Sequence, residues 1–237
     1  MISWPQGYRK VRHEELDSTN NEARRLAEAG EVGPVWIMAD RQAAGRGRRG
    51  RVWETGAGNL AATLLLRPDA PAGVTGQISF VASLAAADMA AHFAPAAAIT
   101  VKWPNDVLAD GKKLAGILLE AGAGWLAVGI GVNLAAAPQG LPATSLVQLG
   151  IAAPSSEEAL TILAACFAHW YAAWMRDGFE IIRAAWLARA GGLGRPVTAR
   201  LAQETRQGLF EGIDASGALL LNEQGQVRAI AAAEVFF

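Results

Sequence analysis

Lys102-Trp103-Pro104-Asn105-Asp106-Val107-Leu108-Ala109-Asp110-Gly111-Lys112-Lys113-Leu114-Ala115-Gly116-Ile117 reads as the end of one strand, a second short strand, a tight turn and the start of a third. The β-prone run from Ile99 to Trp103 must leave its ladder at proline, which has no backbone donor. Asp110-Gly111, a pair that tolerates positive φ, separates Val107-Leu108 from the apolar run Leu114 to Glu120, which is a hairpin signal. Trp125 to Val132 adds another strand after the glycine turn at 122–124. Strands joined by turns this short pair antiparallel, because a parallel pair needs a long crossover.

Further out, Val11 to Leu16, Val35 to Ala39 and Leu60 to Leu66 are also strand-like runs. Thr19 and Glu22 have the spacing of a capping box, which opens a helix to about Ala29 that Gly30 closes. Gln77 to Phe93 is Ala-rich and free of internal Gly or Pro, so it is expected to be a buried helix. The expected class is therefore α+β, a mixed and mainly antiparallel sheet with helices on one side. Ser155 to about Ala190 is helical, capped by Ser155 or Ser156 and broken at Gly178. Beyond Gly191 to Gly194, short β-prone runs alternate with Asp214, Gly217, Asn222 and Gly225, as in a small barrel. Two domains are expected, residues 1–190 and residues 191–237.

Composition narrows the partners. The 237 residues are 52% hydrophobic and 18% charged, which fits a folded globular chain. A net charge of -1 gives no overall pull toward nucleic acid or anionic lipid, so an anion site has to be local. Cys166 lies among Ile162, Leu163, Phe167 and Trp170 at helical spacing and reads as a packing thiol; a single cysteine allows no internal disulfide. His13, His92 and His169 are too far apart to suggest a metal centre, and none is expected. The N-terminus lacks a signal-peptide core, and the apolar run Ile78 to Ala91 is too short to span a bilayer and carries Asp88. A cytoplasmic protein with no membrane partner is expected.

The local anion site is Gly45-Arg46-Gly47-Arg48-Arg49-Gly50-Arg51, four forked donors among glycines that let a ligand approach the backbone. Repulsion among the four guanidinium groups is expected to leave this loop loose until an anion binds. The stretch also spells GxGxxG and part of a P-loop. The first needs a helix to start there and the second a lysine and a hydroxyl where Arg51 and Val52 stand, so both fail on context. Asn105 and Asp106, at the rigid exit after Trp103-Pro104, suit an adenine edge, a ribose or a metal, and equally a plain turn. Lys113 is an edge charge or a ligand for a carboxylate. Gly129 and Gly131, inside the strand that runs to Val132-Asn133, suggest close approach of a ligand or another chain, or a bulge.

Together and in this order, Ser18-Thr19-Asn20, Gln42 through Arg51 with Trp53, KWPND, KLAGIL, GIGVN and Ala143-Thr144-Ser145-Leu146 resemble the biotin protein ligases, also called biotin-[acetyl-CoA-carboxylase] ligases. The resemblance spans the chain. It implies a class II synthetase-like catalytic domain with a small C-terminal SH3-like β-barrel. It further implies that Ser18, Thr19, Asn20 and Gln42 bind the biotin ureido group. The catalytic charges would be Arg46, Arg48 and Lys113 at the carboxylate and the reacting phosphate, with Gly45 and Gly47 letting the loop fold over the ligand. Gly116, Ile117, Gly129 and Ile130 would wall the biotin pocket. Arg48, Arg49, Gly50, Arg51, Trp53, Asn105, Asp106, Gly131 and Asn133 would surround the adenylate. Biotin, ATP and ATP-bound Mg2+ follow as substrates and cofactor, and a biotin carboxyl carrier protein as partner.

Two departures stand out. Glu54-Thr55-Gly56-Ala57-Gly58 replaces the Ser-Pro frequent after the tryptophan, so the exit of the nucleotide loop is expected to differ in shape. The Ser-Thr-Asn motif begins at residue 18, so a ligase without a winged-helix DNA-binding domain and without DNA as partner is expected, monomer or homodimer. The rival readings are a lipoate or octanoate ligase or transferase of related fold, and a non-catalytic biotin-binding or RNA-binding module.

Overall fold

The computed structural model describes residues 2–236. Seven strands form the first sheet: β1 (Arg9–Leu16), β2 (Val35–Gln42), β3 (Leu60–Leu66), β4 (Ile99–Lys102), β5 (Asp106–Ala109), β6 (Lys112–Gly122) and β7 (Trp125–Val132). Their order is β1-β2-β3-β7-β6-β5-β4, and only the β1–β2 pair is parallel. That pair is connected by α1 (Thr19–Glu28), the crossover that parallel strands require. The β5–β6 hairpin turns at Asp110 and Gly111, both at positive φ (49° and 77°), as the Asp-Gly signal predicts.

Helices cover both faces of this sheet, not one side as expected. β2 is apolar from Val35 to Ala39 and β3 everywhere but Thr63, so each strand sends alternate apolar side chains to opposite faces and both faces need cover. On one face Val35, Ile37, Leu65 and Ala127 pack against Ala23 and Ala27 of α1. On the other, Trp36, Met38, Leu64, Val128 and Ile130 join the main core with α2 (Ile78–Phe93) and α3 (Ser156–Asp177). The stretch Gly73–Phe93 is long and apolar enough to cross a bilayer, but it runs through this core and is mostly buried.

The Ser155 hydroxyl accepts from the Glu158 amide to cap α3, which ends at Gly178 (φ 77°), and α4 (Phe179–Leu187) follows. Beyond it β8 (Pro196–Arg200), β9 (Thr205–Ile213), β10 (Leu219–Glu223), β11 (Gln226–Ile230) and β12 (Glu234–Phe236) make an antiparallel sheet ordered β11-β10-β9-β8-β12. This sheet shares the main core through Phe210, which meets Trp186 edge-on. It also binds the first sheet directly, because the indole of Trp103 donates to the Gly217 carbonyl at 3.0 Å.

The capping box expected at the start of α1 does not form. Ser18 is the N-cap and its side chain makes no capping bond. The Thr19 amide and hydroxyl instead reach Gln42 Oε1 at 2.8 and 3.1 Å, and Glu22 pairs with Arg25. A tertiary partner, Gln42, and a neighbour in the same helix, Arg25, therefore took the groups that a local cap would have used.

Candidate active site

The α1 face of the sheet is left open between α1 and the far edge, and the glycines of β6 and β7 make it shallow. Register places Gly116 opposite Gly131 and Leu118 opposite Gly129, while Thr63 of β3 lies across from Gly129. These glycines receive the chain's own side chains. A Cβ added at Gly129 would lie 2.3 Å from Asn20 Oδ1, and one at Gly116 would lie 3.1 Å from the Trp53 ring and 3.2 Å from Lys113 Nζ. Close backbone approach, expected of a ligand, is already needed by Asn20 and Trp53.

Ser18, Thr19 and Asn20 are all buried at the N-terminus of α1. Asp17 holds them there: its carboxylate accepts from the Ser18 amide, Asn21 Nδ2 and Arg25. The Arg25 hydrogen bond is the main reason that Asp17 has a pKa far below the usual carboxylate range. Gln42 takes the Thr19 amide on Oε1 and donates from Nε2 to Thr55 Oγ1 at 3.0 Å, so its orientation is fixed. Thr63 Oγ1 lies 2.8 Å from Thr19 Oγ1 and 2.6 Å from Asn20 Oδ1.

The basic loop is a tight turn. Trp53 N–H donates to the Gly45 carbonyl and Gly47 N–H to the Arg51 carbonyl, and Arg46 bridges to Val52. A Cβ at Gly45 would stand 2.3 Å from the Trp53 carbonyl oxygen, so only glycine fits there. Arg49 and Gly50 both have positive φ, and the helix that a dinucleotide fold needs is absent, with only a three-residue 3₁₀ turn at Arg48–Gly50.

The four arginines do not meet at one point, and each has a partner of its own. Arg46 reaches Asn21 Oδ1 at 2.7 Å and Glu120 at 3.1 Å; Arg48 reaches Asn105 Oδ1 at 3.3 Å; Arg49 and Arg51 both pair with Glu234 of β12. Lys113 Nζ sits 2.5 Å from Asp106 and 5.5 Å from the Trp53 ring centroid. Asn105 is held by two bonds to Ile117 of β6, one to its amide and one to its carbonyl, which turns Oδ1 toward Arg48. Burial, and then the charge of Arg49, lower the pKa of the Arg48 guanidinium. Burial lowers Lys102 too, with Asp106 opposing and Lys113 adding to the effect. Cations whose charge is made costlier by burial, and then by like neighbours, are suited to an arriving anion.

Three expected site residues sit elsewhere. Ile117 and Ile130 alternate with the site glycines and so point into the main core, where each is 2% exposed. Asn133 is buried and donates to the Thr144 carbonyl at 3.1 Å, bracing the 142–144 segment that bonds to the Lys113 backbone. Four residues here went unread in the sequence. Thr63 had a signal, as the lone hydroxyl in LAATLLL; Asn21, Glu120 and Glu234 had none beyond their charge or polarity. A cleft of about 340 Å³ opens beside them, lined by Asn20, Asn21, Arg24, Arg46, Glu120 and Trp125. A larger depression on the C-terminal sheet, about 570 Å³, touches none of these side chains.

Residues 14–134 match the model of the biotin/lipoate A/B protein ligase family, and residues 192–237 that of the biotin protein ligase C-terminal domain. The chain is 49% identical to the biotin--[acetyl-CoA-carboxylase] ligase of Paracoccus denitrificans, over 93% of this chain and 97% of that protein. It is 34% identical to the bifunctional ligase/repressor BirA of Bacillus subtilis, over 97% of this chain and 74% of that protein. The biotin protein ligase of Aquifex aeolicus in complex with biotin and ATP superposes with a TM-score of 0.85 at 26% identity, covering 96% of this chain and 97% of that one.

Proposed function

Because the chain belongs to the biotin protein ligase family, we propose that it joins biotin to ATP as biotinyl-5'-AMP and then passes the biotinyl group to a lysine of a biotin carboxyl carrier domain. One observation carries the reading: Arg48, Asn105, Asp106, Lys113 and Trp53, drawn from three segments, form a single corner, with Trp53 over Gly131 and Asn20 over Gly129 two residues away on β7. The C-terminal match favours biotin over the lipoate ligases that share the family name.

In the first step a biotin carboxylate oxygen attacks the α-phosphorus and the bond to the β-phosphate bridge breaks, releasing pyrophosphate. Two anions have to meet, so charge neutralisation and alignment dominate the barrier. Lys113 and Arg48 are assigned to the carboxylate and the α-phosphate, and Arg46 is to join them by leaving Glu120. Trp53 offers its indole face to the adenine, and Thr19, Asn20 and Gln42 hold the ureido group. In the second step the neutral carrier lysine amine attacks the acyl carbon, AMP departs with the bonding electrons, and the amine gives up one proton to solvent as the amide forms. No nucleophile of the chain enters either step.

Mg2+ fits as a companion of ATP. Asp106 gives the corner a carboxylate, and no group of three or more His, Cys, Asp or Glu able to hold a metal occurs among the described residues. Mg2+ commonly uses one or two carboxylates with substrate phosphates, and when bound it neutralises phosphate charge. A cytoplasmic setting accords with a lone, half-buried thiol.

The test is pyrophosphate release. ATP with biotin should release it, ATP with lipoic acid should not, and an added carrier domain should become labelled. No release with biotin would sink the reading.

A further inference from the structure

We infer that Glu120 is a positioning residue that fixes which way the Asn20 amide points, and with it the donor and acceptor pattern shown to the substrate ring. The inference deepens the biotin reading and rests on it. Glu120 lies near the end of β6 on the same face as Gly116, four residues earlier in an alternating strand. Its Oε2 accepts from Asn20 Nδ2 at 2.8 Å, and before substrate arrives Arg46 Nη2 supplies the counter-charge at 3.1 and 3.2 Å from the two oxygens.

An ionised carboxylate can only accept, so only the NH2 end of an amide can face it. With Nδ2 committed there, Oδ1 turns toward Thr63 Oγ1 at 2.6 Å and lies against Gly129, where no side chain intervenes. The Thr63 hydroxyl has one proton and gives it to Asn20; its lone pairs then take the single proton of Thr19 Oγ1 at 2.8 Å, which leaves Gln42 Oε1 to the Thr19 backbone amide. The polarity of this buried chain is thus set from its Glu120 end. A reversed amide would place Oδ1 against the carboxylate, two acceptors with no proton between them. Gln42 needs no such help, because the Thr19 backbone N–H fixes its orientation at 2.8 Å.

The experiment compares wild type, Glu120→Gln, Asn20→Ala and the double variant by calorimetric biotin titration and steady-state kinetics. Glutamine can offer Asn20 either end, so the pattern is no longer enforced. Glu120→Gln should raise the KM for biotin about tenfold or more and leave kcat and the KM for ATP within about threefold, the scale of one charge-assisted hydrogen bond. The double variant should be no worse than Asn20→Ala alone. Unchanged biotin binding in Glu120→Gln, or penalties that simply multiply in the double variant, would overturn the role. If Glu120→Gln fails to fold, Thr63→Val breaks the same chain and should show the same split; a normal KM for biotin there would also overturn it. A wild-type protein that takes up no biotin would instead remove the ligase reading, and this inference with it.

Discussion

Trp53 lies flat on Gly131: the Cβ that Gly131 lacks would stand 2.3 Å from Trp53 Cε2 and 2.4 Å from its Nε1. The tryptophan that would stack on the nucleotide is seated by a glycine on a neighbouring strand. Gly131→Ala therefore has to push the indole off the sheet, an overpacking worth about 1–3 kcal/mol. The KM for ATP should rise roughly tenfold to a hundredfold, with the biotin KM nearly unchanged. Steady-state kinetics with each substrate varied in turn would check this, and an equal loss for both substrates would argue against the seating.

Lys113 touches Asp106 at 2.5 Å and leans over Trp53. Lys113→Ala removes a cation from where the two substrate anions must meet. Pyrophosphate release should fall by about 10²–10³-fold, the usual scale for losing one preorganised group that stabilises transition-state charge. A fall below tenfold in a stopped-flow assay would take Lys113 out of the reaction.

Arg49 and Arg51 are held by Glu234, on a strand far away in sequence. Glu234→Ala should free the loop tip, so trypsin should cut between residues 46 and 51 several-fold faster than in the wild type, as local opening governs cleavage. Biotin with ATP should restore protection. Equal cutting of the two ligand-free proteins would mean that the other anchors, Asn105 and Glu120, suffice.

Alkaline pH should weaken the fold through two half-buried acids. Burial pushes the Cys166 thiol up to about 11, and burial with the charge of Tyr171 pushes Tyr8 up to about 12. Each group is neutral in the fold at pH values where the unfolded chain has already lost the proton. The stabilisation is therefore complete below the unfolded pKa and is lost as pH rises through the folded one. Urea midpoints should fall from about pH 9 upward. A thiol reagent at pH 8 should modify Cys166 far more slowly than a model thiol, since only about one part in a thousand is thiolate.

Much of the candidate site's arrangement was legible because its signals are local. The Asp-Gly turn sets its own φ values, Pro104 ends β4 whatever surrounds it, and the spacing of KWPND from KLAGIL puts Asp106 and Lys113 on adjacent strands of one hairpin. Others were misread for a physical reason. Thr19 and Glu22 spell a capping box, yet Gln42 and Arg25 compete for the same groups and win. Ile117 and Ile130 lie next to site glycines in sequence, and strand alternation turns them to the other face.

By itself the amino-acid order determined the elements, the antiparallel hairpins and the chemical kind of the site, because turn residues, periodicity and a knot of arginine and glycine act over a few residues. Only the tertiary structure decided where each charge goes: Arg46 to Glu120, Arg48 to Asn105, Arg49 and Arg51 to Glu234. Those partners are distant along the chain. An arginine carries no local preference among carboxylates, so its partner is chosen by which strands the fold brings within a few ångströms.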